Sequence, residues 1–172
     1  MLLFFAGCDS EPAPVAEQAP PSADERRLVR EFNALLHGPA IDVRFPVAEC
    51  TTLPRRTRAE LRDSPQRIAA ARARLARLRT PNSYDRVRTR LDAGLRLIAE
   101  ANKLLLAWSE RSDDPETGEC GQSTDNLRDS AYDEFQDLAK PYLQAFMVKH
   151  NPIAAQMRTT TWELGAAGLI PR

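Results

Sequence analysis

Aromatic residues make up 6% of this 172-residue chain, and there are only seven glycines. β-Sandwiches and barrels need many tight turns and strands rich in aromatic and β-branched residues, so an all-β fold is disfavoured. No uninterrupted apolar stretch approaches the roughly 20 residues that a bilayer-spanning helix requires. Net charge is missing too: 24 basic residues face 24 acidic ones, so no global electrostatic pull toward nucleic acid exists. Catalytic signatures are also lacking. There is no G-x-S-x-G elbow, no H-E-x-x-H pair and no glycine-rich phosphate loop. Carboxylates that converge only in the fold would escape such a search. Nothing singles out such a pair, and the expectation is a non-enzyme without cofactor or metal.

What is present is a chain 42% hydrophobic and 28% charged, with its apolar residues at helical spacing. The fold class expected is all-α: a bundle of four to five helices with a long central helix and an antiparallel helix hairpin, in one domain over residues 22–172. Ser22-Ala23-Asp24-Glu25 fits a capping box that opens a first helix running to His37, where Gly38-Pro39 stops it. Pro39, Pro46 and Pro54 with alternating Ile41, Val43, Phe45 and Val47 make an extended segment between the first and second helices. Thr57 to Asp63 reads as a short helix of its own. Ser64-Pro65 would restart the chain as N-cap and first residue of the second helix, which ends near Arg79. After the breaker Thr80-Pro81-Asn82-Ser83, Tyr84, Val87, Leu91, Gly94, Ile98, Ala101, Leu105 and Trp108 form an unbroken seam. A polar loop, Asp113 to Ser123, leads to a fourth helix with Leu127, Ala131, Phe135, Leu138, Tyr142 and Phe146 inward and a kink or break at Pro141. Asn151-Pro152 would cap a fifth helix that ends near Gly165.

The N-terminus carries the one specific motif. An apolar run ends in Phe5-Ala6-Gly7-Cys8, which resembles the lipobox of bacterial lipoproteins. Small residues before the cysteine let a signal peptidase reach the bond, and only a thiol can carry the thioether lipid. The resemblance implies that residues 1–7 are the remnant of a signal peptide and that Cys8 is lipidated. Residues 8–21 would then be a tether; Asp9 to Pro21 holds four prolines and no base, a composition that packs no core. Thirteen such residues reach roughly 40 Å when extended. The implied location is the cell envelope, facing the periplasm, with Asp9 favouring the inner membrane over the outer. In an oxidising compartment the two remaining cysteines, Cys50 and Cys120, read as a disulfide. The alternative, a zinc site of Cys50, Cys120, His37 and His150, lacks ligand spacing. Each histidine reads instead as a cation near a helix C-terminus.

Charge is unevenly distributed despite the zero total. Residues 55–96 hold 13 arginines against 4 acids, and residues 97–137 hold 3 bases against 11 acids. The simpler expectation is that the basic hairpin and the acidic fourth helix lie side by side and neutralise each other. The rival reading makes Arg72, Arg79, Arg86 and Arg90 a face for an anionic partner. Asp125, Asp129, Asp133 and Asp137 form a carboxylate stripe, read as solvated rather than metal-binding because no Glu-x-x-His accompanies it. Trp108 and Trp162 are candidates to line a pocket between helices, and Trp108, at a seam position, reads as core instead.

Together these features point to a non-catalytic envelope lipoprotein that holds the membrane through Cys8 and engages an envelope protein. Immunity-type or envelope-maintenance roles would be its specific forms. The alternative is a bundle that binds a small molecule or lipid in a cavity lined by Leu91, Ile98, Leu105 and Phe135.

Overall fold

The computed structural model describes residues 19–37, 55–111, 122–165 and 168–172. They form an all-α bundle with one small C-terminal hairpin of strands. Helix α1 covers Ala23–Leu36, α2 Arg55–Arg77, α3 Asn82–Arg111, α4 Gln122–Asp133 and α5 Lys140–Gln156. A π-helical turn, Glu134–Ala139, joins α4 to α5, and strands β1 (Trp162–Gly165) and β2 (Gly168–Pro171) pair antiparallel. The segment 38–54 and most of the loop expected at 113–123 lie outside the described residues.

Helix α1 starts as the capping box requires. The Ser22 hydroxyl accepts from the Glu25 amide at 3.2 Å, and the Glu25 carboxylate accepts from the Ser22 amide at 2.9 Å. The same carboxylate accepts from the Tyr84 hydroxyl, and the Lys149 ammonium lies 5.2 Å from the Tyr84 ring centroid. That chain of contacts joins α1, α3 and α5 at one end of the bundle. Burial and the neighbouring Glu25 charge push the Tyr84 hydroxyl pKa up, so the group remains a donor throughout the accessible pH range.

Helices α2 and α3 form the expected antiparallel hairpin, with Arg62 paired to Glu110 at one end and Arg72 to Asp92 nearer the turn. The break expected at Ser64-Pro65 is not there: α2 runs straight through Pro65. Ser64 is no cap but a buried side chain, its hydroxyl accepting from Asn102 of α3. Leu61 and Ile68 are buried on either side of the proline. The Arg67 guanidinium donates to the Glu60 carbonyl in the turn where proline disrupts the ladder. Tertiary burial on both sides thus outweighs the local cost of one missing amide.

Every member of the α3 seam from Tyr84 to Trp108 is buried. Gly94 is there for proximity. A Cβ at this position would sit 2.7 Å from Cδ2 and 3.1 Å from Cγ of Leu143 on α5, so the absent side chain sets how closely the two helices approach.

The stripe expected on the fourth helix is half right. Ala131, Phe135 and Phe146 are buried, but Leu138 and Tyr142 are 49% and 42% exposed, and Ala139 and Leu143 take their places in the core. The cause is the π turn, in which the Lys140 amide bonds the Phe135 carbonyl five residues back. Each residue in such a turn rotates less than 100°, so three consecutive four-residue steps (131, 135, 139, 143) stay on one face. Pro141 sits at the start of α5, directly after this widened turn. The expected kink therefore takes the form of a register shift.

The fifth helix does not begin at Asn151. Pro152 lies inside α5, which continues to Gln156. Arg158, at φ 52°, ends it in the left-handed region, with the Arg158 amide on the Ala155 carbonyl and the Thr159 amide on that of Ala154. Residues expected to be helical up to Gly165 are instead strand β1. The Asn151 side chain, freed from any capping role, clamps that strand: it donates to the Trp162 carbonyl at 2.6 Å and accepts from the Trp162 amide at 3.0 Å.

Candidate interaction surface

Two constellations of polar groups stand out among the described residues. The first is buried. Asn33 Oδ1 lies 3.0 Å from His150 Nε2 and accepts from Trp162 Nε1 at 2.8 Å, while its Nδ2 donates to the Thr160 carbonyl at 3.0 Å. Because that oxygen can only accept, Nε2 of His150 carries the proton. His150 is 1% exposed and stacks on Phe146 with ring centroids 4.8 Å apart. Burial drives its pKa down to about 4, partly offset by a backbone contact with Thr160. It is therefore neutral at pH 7 and sits mid-helix, not a cation at a helix end as its place before Asn151-Pro152 suggested. His37 does sit at the C-cap of α1, with Nε2 3.2 Å from the Thr160 hydroxyl. This node ties the C-terminal hairpin to α1 and α5. With its imidazole closed off from solvent, it offers no open position to a substrate.

The second constellation is exposed and cationic. Helix α2 has its core face at Leu61, Ile68, Ala71 and Leu75, so Arg74 and Arg77 project into solvent. Arg30 of α1 lines a cleft of about 450 Å³ with Arg27, Arg74 and Leu78. On the other flank of α2, Arg72, Ala73, Ala76, Arg88 and Thr89 line an open cleft of about 540 Å³. Arg79, in the turn after α2, presents its carbonyl to Arg27 and its side chain to solvent.

Of the four arginines singled out in sequence, Arg72 is held in a two-bond pair with Asp92 at 2.7 and 2.9 Å. Arg79, Arg86 and Arg90 are exposed and make no side-chain ion pair with another described residue, and the same holds for Arg30, Arg74 and Arg77. Arg86 and Arg90 share a stripe on α3, one turn apart. Sequence reading missed Arg30, which lies outside the basic block. Arg74 and Arg77 were within it, and the wheel of α2 alone would have turned them outward.

The expected neutralisation by the fourth helix is not found among the described residues. Helices α2 and α4 each pack along α3, with no comparable packing on each other. Asp129, Asp133 and Asp137 are exposed, and Asp129 pairs with its own neighbour Arg128. Arg62–Glu110 is the ion pair between the two blocks among the described residues, and the carboxylates of α4 do not reach the arginines of α2.

The remaining sequence candidates are quickly placed. Leu91, Ile98, Leu105 and Phe135 are wholly excluded from solvent and line neither cleft. Trp108 and Trp162 are core residues. Among the described residues no three His, Cys, Asp or Glu side chains are grouped to hold a metal, and no helix is long and apolar enough to cross a membrane. Cys8, Cys50 and Cys120 lie outside the described residues. The chain matches no protein-family profile, no curated protein and no solved structure.

Proposed function

We propose that this chain is a non-catalytic lipoprotein of the bacterial envelope, anchored through Cys8 and facing the periplasm, that works by associating with an envelope partner through its arginine surface. The observation that carries the reading is the set of exposed arginines on α1 and α2 that have no acidic partner among the described residues. Arginines at that density cost self-repulsion and are useful where an anionic surface meets them. The tether composition of residues 9–21 and the lipobox resemblance at Cys8 support the anchored location. In that compartment Cys50 pairs with Cys120.

The decisive experiment has two arms. Metabolic labelling with a fatty acid, on the gene with its native upstream sequence, should mark the wild type and not Cys8→Ser. Equal labelling of both removes the anchor from the reading. In envelope extract, crosslinking of the wild type should yield a partner that is lost when Arg30, Arg74, Arg77 and Arg79 are replaced by Gln. Recovery that ignores those substitutions removes the arginine surface from it.

A further inference from the structure

Resting on that reading, we propose that the partner of the arginine surface is the membrane itself: Arg30, Arg74, Arg77 and Arg79 dock on anionic lipid headgroups and orient the bundle against the bilayer that anchors it.

The chain enters the fold beside these arginines. The Arg26 guanidinium donates to the Pro21 carbonyl at 2.5 Å, and Arg27 reaches the Arg79 carbonyl at 3.2 Å. The root of the tether and the arginine surface are therefore neighbours at one side of the bundle. Thirteen residues, 9–21, separate Cys8 from Ser22, a reach of roughly 40 Å at most. A tether rooted beside the arginines presents that side of the bundle to the bilayer before any other.

The clefts flanking α2 are lined by arginine, alanine and leucine with one carboxylate each, Asp92 held by Arg72 and Glu31 held by Arg27, and neither contains an aromatic side chain. Among the described residues the large exposed apolar side chains, Tyr132, Leu138, Tyr142, Val148 and Ile170, all belong to the C-terminal part of the chain. A protein partner is normally held by buried aromatic or apolar anchors at the centre of its interface. Among the described residues this surface has no aromatic anchor, and its unpaired exposed groups are guanidinium ions, which suits a plane of phosphates where neither register nor shape is read.

Asp129, Asp133 and Asp137 are exposed on α4 and the π turn, which pack along α3 and not comparably on α2. An anionic bilayer attracts one side of this charge distribution and repels the other, so the docked pose is unique.

The test is sedimentation of the full chain carrying Cys8→Ser with vesicles of phosphatidylglycerol and phosphatidylethanolamine, or of phosphatidylcholine alone. In 50 mM salt the chain should sediment with the anionic vesicles and dissociate in 500 mM, since exposed charges are screened there. An arginine at an anionic surface strengthens partitioning roughly fivefold, so replacing Arg30, Arg74, Arg77 and Arg79 by Gln should weaken it a hundredfold or more. Replacing the same four by Lys should retain binding, because a headgroup plane reads charge, whereas a partner bonded through guanidinium forks would be lost. Circular dichroism establishes folding of each variant; the salt dependence of the native surface and the Lys variant decide the matter if the Gln variant does not fold. Equal sedimentation with neutral vesicles, which the apolar run 2–5 alone would produce, overturns the proposal. So does an anionic binding that survives the Gln variant. No vesicle binding, with arginine-dependent crosslinking to an envelope protein still observed, overturns the membrane as partner and leaves the proposed function standing.

Discussion

Acidification from pH 7 to pH 5 should cost this fold about 2 kcal/mol of stability through one side chain, His150. Its imidazole has a pKa near 4 when folded against about 6.5 in an unfolded chain. At pH 7 it is neutral in both states and the packing around Asn33 and Phe146 is fully retained. As pH falls below 6.5 the unfolded chain takes up a proton that the folded protein does not, so stability declines, with a slope approaching 1.4 kcal/mol per pH unit. The decline ends near pH 4, where the folded imidazole also titrates, for a total of about 3 kcal/mol. The interval from pH 7 to 5 isolates the effect, because carboxylates are ionised in both states over most of it. Glu25 has its pKa lowered, mainly by the backbone hydrogen bond at Ser22; its own contribution is lost only at more acid pH, as the carboxylate becomes protonated. Urea unfolding of the wild type and of His150→Gln, followed by circular dichroism at pH 7, 6 and 5, measures the difference. The variant should be less stable at pH 7 and nearly level with the wild type at pH 5. A wild type that is flat to within 0.5 kcal/mol over this range, roughly a quarter of the expected loss, would refute the buried neutral imidazole.

Two backbone positions give further expectations. Gly94→Ala gains about 1 kcal/mol of helix propensity, yet its methyl would meet the buried Leu143 at 2.7 Å. Overpacking of a filled core costs about 1–3 kcal/mol, so the net change in a urea titration should be a loss, and Gly94→Val should lose more. Arg158→Gly should act in the other direction, raising the melting temperature by a few degrees. Its φ of 52° costs an L-residue roughly 1 kcal/mol that glycine does not incur.

How much of this fold could be read from the sequence depended on whether local and tertiary signals agreed. On α3 they agreed: each residue of the unbroken 3-4 seam from Tyr84 to Trp108 is buried, including Gly94 at its close approach, while Leu95, Leu97 and Asn102 beside the seam are buried as well. The capping box of Ser22 and Glu25 is local by nature and was legible for that reason. Three prolines misled in different ways. Pro65 signals a helix start, but Leu61 and Ile68 bury on both sides of it and keep α2 continuous. Pro152 after Asn151 carries the same signal, yet the Asn151 amide is occupied by the backbone of Trp162, a partner eleven residues away. Pro141 was read as a kink, and the chain absorbs it in a π turn that a fixed 100° wheel has no means of showing. That turn alone accounts for Leu138 and Tyr142 being exposed.

The charge surface was legible in amount and not in placement. A block of 13 arginines followed by one rich in acids suggests mutual neutralisation whenever the two helices are neighbours. Whether they are neighbours is settled by two residues of α3. Asp92 faces α2, where it holds Arg72; Gly94 faces α5, where it receives Leu143. Two residues along a helix are separated by roughly 200° of rotation, so Asp92 and Gly94 turn toward different neighbours of α3, α2 and α5. The acidic α4 leads directly into α5 through the π turn and stays on the Gly94 side; the basic α2 stays on the other. The central helix that makes the bundle cohere therefore also keeps the arginines of α2 apart from the carboxylates of α4. A surface that would otherwise have neutralised itself is left free to meet an anionic one.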